Sequence, residues 1–381
     1  MKKPIRVLYI SPVAERGGAE RALYNLVKFH KRDVCEPFVF FLKDGPFVEE
    51  IRKLNIPVYV YEAGRLRQIW KYLQAIYKIV RFIQNNEIDI VHGNSSMGHI
   101  YGGLAALITR RRKVWFQHTC SRKFDLVDQI STLIPSDVII TNSFYTASLQ
   151  KKYFPYHKNI IVIYYGLDLL EFNPDTVKGK FVREKLGIKP SERVIGIVGR
   201  IQRLKGHTFF IDAAFRVKKV IPDVKFLIVG DEMFNIEDGY KNELLNMTKN
   251  LGMTDSILFT GFHENVQDYI AAIDILVSAS IHPEAFGFTI CEGMAMRKTV
   301  IATDAGGPQE IITGPELGYL YPPGNSFKLA ELIINFLNNP EEMKAVGLKA
   351  EKRIREYFSM DRMIESVENL YKEIVCKKKS I

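Results

Sequence analysis

Short apolar runs alternate with amphipathic segments along this chain, and the alternation restricts the folds open to it. In the first half, seven runs have the length and composition of strands: Ile5–Ile10, Phe38–Leu42, Val58–Tyr61, Ile88–His92, Val114–His118, Val138–Thr141 and Ile160–Tyr164. In the second half, five more follow: Val194–Val198, Lys225–Val229, Ile257–Thr260, Ile275–Ser278 and Thr299–Ala302. Helical segments separate most of them, which predicts parallel sheets covered by helices on both faces. Because ligands bind such sheets beyond the carboxyl ends of the strands, the residues that follow each strand are the first candidates for function.

The composition is that of a globular protein with more than one domain. The chain has 381 residues, 47% of them hydrophobic and 25% charged, which is enough for two domains of ordinary size. Cys35, Cys120, Cys291 and Cys376 are far apart and form no C-x-x-C pair, which argues against a zinc site or a disulfide scaffold and for a reducing compartment. The first apolar run is interpreted as a strand and not as a signal peptide. No apolar run approaches the roughly 18 residues of a membrane-spanning helix.

The net charge of +10 is concentrated in the first half of the chain. Residues 1–175 hold 25 Lys and Arg against 16 Asp and Glu, a net of +9. Residues 176–381 hold 28 against 27, a net of +1. A basic half predicts an anionic partner, such as a membrane surface, a nucleic acid or an acidic substrate.

The segment Arg65–Gln84 has helical periodicity and carries part of this charge. Its predicted apolar face holds Leu66, Ile69, Leu73, Ile76 and Val80, and its basic residues Arg65, Arg67, Lys71, Lys78 and Arg81 alternate with Trp70, Tyr72 and Tyr77. It is either an ordinary surface helix with its apolar side on the sheet or a basic and aromatic surface that rests on anionic lipid head groups. The two interpretations are compatible, because one helix can pack inward and present charge outward.

Two glutamates, Glu284 and Glu292, lie eight positions apart on either side of a Gly-containing turn. The residues after the turn have helical spacing, so a helix is predicted to begin near Gly287 or Phe288. Its free backbone N–H groups, those of residues 286–289, would attract anions between the two carboxylates. Such a site suits a ligand with both hydroxyls and phosphates. On spacing alone, two glutamates eight positions apart more often belong to a solvated helix face.

Two strand-to-helix turns carry residues that suit a phosphate. Gly17 and Gly18 let the backbone turn tightly and approach a ligand, although an ordinary turn explains them equally well. Arg200 and Lys205 stand five positions apart after a strand and can hold both phosphates of a diphosphate, since Arg offers a planar fork and Lys a point charge. By themselves, however, two charged residues in a loop are more often simply solvated. Neither turn has the form G-x-G-x-x-G or G-x-x-x-x-G-K-[ST], so neither a nicotinamide fingerprint nor a P-loop is predicted.

Taken in order, these stretches resemble the retaining glycosyltransferases of family 4, the glycosyl transferases group 1 with the GT-B fold. The string E-A-F-G-F-T-I-C-E-G-M-A at 284–295 is similar to that family's E-x7-E signature, and G-R-I-Q-R-L-K-G at 199–206 is similar to its G-R-x4-K-G loop. The string G-G-A-E at 17–20 resembles its glycine loop. Y-G-L-D at 165–168 resembles its interdomain N-G-[IV]-D string, with Tyr165 in place of the usual Asn.

The resemblance implies an α/β protein with the GT-B fold, in which two doubly wound Rossmann-like domains face a central cleft. We expect an N-terminal acceptor-binding domain at 1–172 and a C-terminal nucleotide-sugar-binding domain at 173–356. A C-terminal helix at 357–381 is expected to cross back and pack on the first domain.

The resemblance also implies roles for individual residues. The expected catalytic residues are Glu284, which would hold the donor sugar's hydroxyls, His118, which would orient the sugar or assist the incoming hydroxyl, and Arg200 and Lys205, which would neutralise the departing diphosphate. Glu292 would accept hydrogen bonds from the ribose hydroxyls. The expected donor-binding residues are Gly17, Gly18, Gly199, Arg200, Lys205, Gly261, Phe262, Glu284, Phe286, Gly287, Phe288, Thr289 and Glu292.

The implied reaction transfers a sugar from a UDP- or GDP-linked donor to the hydroxyl of a carbohydrate or lipid-linked acceptor, with retention at the anomeric carbon. The expected setting is the synthesis of a cell-surface polysaccharide or glycolipid. The chain has no D-x-D motif, and neither a metal nor a cofactor is expected. We expect a cytoplasmic protein without a nucleic acid partner, in peripheral contact with the inner face of the plasma membrane through its basic N-terminal domain. The alternatives are a GT-B nucleotide-sugar epimerase and a non-catalytic nucleotide-sugar or lipid-binding protein.

Overall fold

The computed structural model describes residues 3–15, 17–64, 66–121, 125–156, 159–232, 237 and 239–376. The chain divides into two compact units, one formed by Met1–Gly166 with Met360–Ile381 and the other by Leu167–Ser359. Sequence analysis placed the junctions at 172/173 and 356/357. The structure differs because the Leu167 backbone N–H donates to the Phe358 carbonyl at 2.8 Å and Leu167 pairs with Ser359 in a parallel bridge. Residues 167–172 therefore belong to the second unit.

Each unit is built on one parallel sheet. The strands of the first unit are β1 (Ile5–Ser11), β2 (Cys35–Phe41), β3 (Val58–Val60), β4 (Ile90–Asn94), β5 (Arg112–Gln117), β6 (Val138–Thr141) and β7 (Ile160–Val162). Those of the second unit are β8 (Arg193–Val198), β9 (Val224–Val229), β10 (Ile257–Gly261), β11 (Ile275–Ser278), β12 (Thr299–Thr303) and β13 (Tyr319–Tyr321). All twelve predicted strands have a counterpart, whereas the three-residue β13 was not predicted.

Helices connect the strands and cover both faces of each sheet. Those of the first half of the chain are α1 (Gly18–Phe29), α2 (Pro46–Arg52), α3 (Ile69–Asn85), α4 (Ser95–Ile108), α5 (Leu126–Leu133) and α6 (Phe144–Tyr153). The others are α7 (Lys180–Lys185), α8 (His207–Val220), α9 (Tyr240–Asn250), α10 (Val266–Ala272), α11 (Phe288–Ala295), α12 (Pro308–Ile311), α13 (Ser326–Asn338), α14 (Pro340–Tyr357) and α15 (Met360–Cys376). A single 3-10 turn, Arg203–Lys205, precedes α8.

The strand orders place one reversal point in each sheet. The first sheet has the order β3-β2-β1-β4-β5-β6-β7 and the second the order β10-β9-β8-β11-β12-β13. The direction of winding reverses between β1 and β4 and again between β8 and β11. In open parallel sheets the crevice beyond such a reversal is the usual ligand site, so the segments after these four strands are the places to look for function.

Buried polar side chains anchor α15 to the first unit, as predicted for the C-terminal helix. The Tyr371 hydroxyl lies 2.9 Å from that of Tyr9, on β1, and 2.6 Å from Nδ1 of His92, on β4. Glu368 lies 3.1 Å from Nδ1 of His30. Because these groups are buried among one another, the contacts specify where the helix packs.

The prediction for the segment 65–84 was partly wrong. The helix α3 begins at Ile69, and Arg65 lies outside the described residues. Ile69 and Leu73, expected on the sheet, are exposed by 53% and 47%. The side chains that pack inward are Ala75, Ile76, Ile79 and Ile83, which join the core of the first unit. The helix is apolar over so wide an arc that periodicity did not distinguish its buried face from the neighbouring stripe.

Candidate active site

In the second unit, glycines with positive φ stand where the strands end. They are Gly199 (143°), Gly230 (140°), Gly261 (80°), Gly287 (125°) and Gly306 (81°), at or after β8, β9, β10, β11 and β12. Residues with a Cβ rarely adopt this backbone conformation. At the carboxyl ends of these strands, the backbone can therefore come close to a ligand.

Lys205 and Glu284 meet at the reversal point of this sheet, the first after β8 and the second after β11. The Lys205 Nζ lies 2.6 Å from Oε1 of Glu284, and the Ser280 hydroxyl donates to the same oxygen. Gly206, at φ 71°, lets the chain turn behind Lys205, and a Cβ there would lie 1.9 Å from the Ala279 carbonyl oxygen. The two residues that sequence analysis assigned to phosphate and sugar therefore belong to one site.

The electrostatic surroundings keep Glu284 ionised. Burial by itself raises the pKa of this carboxyl, but the charge and hydrogen bond of Lys205, the Ser280 hydroxyl and the charge of Arg200 together hold the pKa below its usual value. Glu284 is thus a carboxylate at neutral pH. It is able to accept hydrogen bonds from hydroxyls or to stabilise positive charge beside it.

The start of α11 confirms the predicted helix. Gly287 is its N-cap residue, and the helix begins at Phe288. Glu292 is only 2% exposed and lies in the second turn of this eight-residue helix. Since the first N–H groups of a helix have no partner within it, α11 offers donors between Glu284 and Glu292.

Four of the predicted residues line one recess in the second unit. The recess is bounded by Ile197, Val198, Gly199, Lys205, His207, Ser278, Ala279, Ser280, Glu284 and Thr289. Arg200 is close enough to lower the pKa of Glu284. Neither Ser280 nor His207 was predicted from the sequence. Burial lowers the pKa of His207 to about 4, so its ring is neutral at pH 7.

The ring of Phe286 is buried and does not line this recess. The side chain is 4% exposed and contacts the rings of Phe288 and Phe358 at 5.7 and 5.9 Å. Beside it, the Gly307 N–H donates to the Glu284 carbonyl at 2.8 Å. A Cβ on Gly307 would lie 2.3 Å from the Phe286 carbonyl oxygen. The glycine-rich segment after β12 therefore supports the loop that carries Glu284.

Gly261 and Phe262 lie at the end of β10 and do not line this recess. The Gly230 N–H donates to the Gly261 carbonyl at 2.9 Å, and half of Phe262 is exposed. Their expected part in donor binding stays a prediction.

In the first unit, Gly17 is the N-cap residue of α1 and Gly18 is the first residue of the helix. Gly17 has φ −148° and ψ −176°, an extended conformation that any residue adopts. What its missing side chain provides is space, because a Cβ on Gly17 would lie 2.5 Å from Oε2 of Glu20. Glu20 itself is 8% exposed. This buried carboxylate on the first turn of α1 was not singled out from sequence.

His118 follows β5 and is held by two neutral partners in the same unit. Its Nε2 lies 2.6 Å from Oδ1 of Asn94, and its Nδ1 lies 2.6 Å from the Tyr165 hydroxyl. Because an amide oxygen only accepts, Nε2 carries the hydrogen and Nδ1 accepts from Tyr165. Burial lowers the pKa of His118 to about 3, so the ring is neutral. This arrangement suits an orienting role, since the ring nitrogen that lacks a proton is already engaged by Tyr165.

Asn94 and Tyr165 were not assigned to the site, yet they hold the predicted histidine in place. Asn94 lies at the end of β4, and its Nδ2 is buried without a hydrogen-bond partner in the described part of the chain. Tyr165 was noted only as a departure from the family string. That departure was the available signal, because a hydroxyl at this position reaches His118.

The described residues contain no group of three or more His, Cys, Asp or Glu side chains arranged to hold a metal ion. None of the helices in the described ranges combines the length and apolar character required to cross a membrane.

Two family models match most of the chain. The family Glycosyl transferases group 1 matches residues 179–353, which include Arg200, Lys205, Glu284 and Glu292. Glycosyltransferase Family 4 matches residues 16–170, which include Gly17 and His118. The chain belongs to the group 1 glycosyltransferases with the GT-B fold.

Two relatives and one solved structure illustrate the similarity. The lipopolysaccharide core biosynthesis mannosyltransferase LpsB of Rhizobium meliloti is 26% identical over 216 residues, which cover 56% of this chain and 61% of LpsB. EpsD of Bacillus subtilis is 25% identical over 344 residues, 86% of this chain and 85% of EpsD. The structure of Anabaena HepE in complex with UDP has a TM-score of 0.87 at 25% identity and covers 97% of this chain and all of HepE. The matched region of this glycosyltransferase thus spans about three fifths of LpsB and most of the other two proteins.

Proposed function

We propose that this glycosyltransferase transfers a sugar from a nucleoside-diphosphate donor, UDP- or GDP-linked, to an acceptor hydroxyl with retention at the anomeric carbon. The observation that carries the proposal is the pairing of Lys205 with Glu284 at the reversal point of the second sheet, beside Arg200. A diphosphate is bound by cations, and the hydroxyls of a sugar donate hydrogen bonds to groups such as carboxylates. Here a cation and a carboxylate line one recess. The UDP bound to HepE supports a nucleotide donor.

The second unit supplies the groups that bind the donor. Arg200 and Lys205, with the backbone N–H groups at the start of α11, take up the charge that develops on the departing diphosphate; one preorganised donor of this kind is worth about 10²–10³ in rate. Glu284 accepts hydrogen bonds from the sugar hydroxyls, and Glu292 accepts hydrogen bonds from the ribose hydroxyls. When the donor binds, its phosphate replaces the carboxylate as a partner of Lys205, which leaves Glu284 oriented by Ser280.

Retention is proposed to follow from attack on the same face as departure. The bond between C1 and the phosphate oxygen breaks, the acceptor oxygen bonds to C1, and the acceptor proton passes to the departing phosphate. His118 orients the sugar or the acceptor and takes no proton, because its basic nitrogen accepts from Tyr165. The two cations neutralise the leaving group, which supports a mechanism without a divalent metal.

The acceptor is proposed to be a carbohydrate or a lipid-linked sugar in the synthesis of a cell-surface polysaccharide or glycolipid, as the description of LpsB suggests. The protein is proposed to be cytoplasmic and to contact the inner face of the plasma membrane peripherally. The net charge of +9 in residues 1–175 supports contact with such an anionic surface.

A thermal-shift screen against UDP- and GDP-sugars tests the donor, because a ligand at 100 times its Kd stabilises the native state by about 2.7 kcal/mol. The donor that raises Tm is then incubated with acceptor saccharides, and NMR gives the anomeric configuration of the product. Retained configuration and acceptor-dependent product are expected. An isomerised sugar without acceptor would identify an epimerase, and binding without any product would identify a non-catalytic protein.

A further inference from the structure

Phe144 exposes an aromatic ring just beyond the end of β6, in the first unit. It is the first residue of α6, and 64% of it is exposed. Its ring meets that of Tyr164, which follows β7, in a T-shaped contact with the centroids 6.2 Å apart and the planes at 75°. An aromatic side chain has only two rotatable torsions, so it offers a large contact surface at a small cost in conformational entropy.

The backbone that carries Phe144 is held by a capping box. The side chain of Ser143, the N-cap residue of α6, accepts from the Thr146 N–H at 3.0 Å, and the Thr146 hydroxyl accepts from the Ser143 N–H at 3.2 Å. These two bonds fix the first turn of the helix. The exposed ring therefore stands on a rigid element, which limits the entropy lost when a ligand binds to it.

Two short connections join this ring pair to His118. The strands β5, β6 and β7 are neighbours in the sheet, and beyond β6 the Asn142 Nδ2 donates to the His118 carbonyl at 3.0 Å. Beyond β7, the Tyr165 hydroxyl lies 2.6 Å from Nδ1 of His118, whereas the adjacent Tyr164 contacts the ring of Phe144. The aromatic pair and the histidine thus belong to the same end of the first sheet.

The chain around the ring pair carries no charged residue. Residues 114–121, 138–150 and 159–167, which contain the carboxyl ends of β5, β6 and β7, include no Asp, Glu, Lys or Arg. A phosphate or an anionic head group is bound by cations, so this composition favours a neutral ligand. A pyranose ring is neutral and has an apolar face of C–H groups with a rim of hydroxyls.

We propose that Phe144, supported by Tyr164, is the platform on which a neutral saccharide ring of the acceptor stacks, with its hydroxyls towards His118. The inference rests on the transfer reaction proposed above and names the part of the acceptor that the first unit recognises. The face of an aromatic ring carries partial negative charge, which attracts the C–H groups of the sugar. Burial of roughly 50 Å² of apolar surface corresponds to about eightfold in affinity. Phe144 determines acceptor binding and takes no part in the bond changes.

Saturation-transfer difference NMR tests the contact without any turnover. The probes are the methyl glycosides of glucose, galactose, mannose and N-acetylglucosamine, each added to the full chain without a donor. We expect at least one of them to receive saturation most strongly at the C–H groups of one ring face. Phe144→Ala should reduce this signal at least fivefold, and Phe144→Trp should retain it, because either aromatic ring presents a flat face to the sugar.

Tyr156→Ala is the matched control in the same unit. Tyr156 is 85% exposed and follows the C-terminal end of α6, so the ten residues of the helix, about 15 Å at 1.5 Å per residue, separate it from Phe144. Its removal should leave the signal within twofold of wild type.

Initial rates give a second measurement that separates binding from a structural role. Phe144→Ala should raise the acceptor KM about five- to tenfold and leave kcat and the donor KM within twofold, because stacking is equally strong in the ground state and the transition state. Phe144→Trp should restore the acceptor KM. A ring that only supported the His118 loop would lower kcat when removed.

The proposal would be overturned if none of the four glycosides gave a signal that depends on Phe144, or if Phe144→Ala lowered kcat and left the acceptor KM unchanged. A dimer that dissociates in Phe144→Ala, measured by sedimentation velocity, would assign the ring to a second copy and overturn it as well. The NMR experiment contains no donor, so absence of transfer would contradict the proposed function and leave the result on stacking unchanged.

Discussion

Different kinds of side chain follow the strands of the two units, although both sheets are parallel and doubly wound. In the second unit, the residues beyond β8 and β11 are charged and joined in an ion pair, Lys205 with Glu284. In the first unit, the residues at the ends of β4 and β5 are Asn94, Gln117 and a His118 that burial keeps neutral. Charge suits a diphosphate, and neutral donors and acceptors suit hydroxyls.

The backbone shows the same contrast. Glycines with positive φ follow five strands of the second unit, whereas Gly64 alone has positive φ among the described glycines of the first. At the carboxyl ends of the strands of the second sheet, the backbone thus leaves room for a ligand. At those of the first sheet, side chains are hydrogen-bonded to one another. This contrast favours a phosphate-binding donor site in the second unit and an acceptor site in the first.

Removal of the Glu284 carboxylate should have the largest effect. A small effect would contradict the role given to the charged residues of the second unit. Glu284→Gln is expected to lower kcat by about 10²–10³, because an amide neither stabilises positive charge on the sugar ring nor balances Lys205. The control is Glu243→Gln, whose exposed carboxylate pairs with Arg203. Initial rates at saturating donor measure both variants. A kcat for Glu284→Gln within threefold of wild type would remove Glu284 from the mechanism.

A pair of glycine substitutions tests the contrast in backbone. Gly206→Ala places a Cβ at positive φ and 1.9 Å from a carbonyl oxygen, so we expect it to reduce the free energy of unfolding by roughly 2–4 kcal/mol. Gly17→Ala, in an extended conformation, requires only that the Glu20 side chain move and should cost under about 1 kcal/mol. Urea unfolding measures both. Similar losses for the two variants would show that glycine has the same role in both units.

The pH dependence of stability tests the neutral histidine of the first unit. With a pKa of about 3 when folded and about 6.5 when unfolded, His118 binds its proton more readily in the unfolded chain. Its contribution to stability is therefore lost as the pH falls from 6.5 towards 3, by roughly 3 kcal/mol at pH 4. His118→Gln should be less stable at pH 7 but show a flatter profile between pH 6.5 and 4. Urea unfolding at each pH measures the free energy of unfolding. If this free energy depended on pH as steeply in His118→Gln as in wild type, His118 would not be held neutral.

Sequence patterns predicted the sheets and the charged half of the site, but not the contacts of the first unit. Arg200, Lys205, Glu284 and Glu292 were assigned because each belongs to a short contiguous string, at a strand end or a helix start, that resembles a family motif. The partners of His118 are 24 and 47 residues away from it, so no local pattern links them. The buried face of α3 was also misassigned, since only tertiary packing selects between two apolar stripes of one helix.

Calorimetric titration of UDP and GDP tests the central claim most directly, that Lys205 and its partners form the diphosphate site. The account predicts that wild type binds one of the two nucleotides and that Lys205→Ala binds it at least tenfold more weakly. Arg203→Ala, which removes an exposed cation from the same 3-10 turn, should bind within twofold of wild type. Equal affinity of wild type and Lys205→Ala would contradict the account.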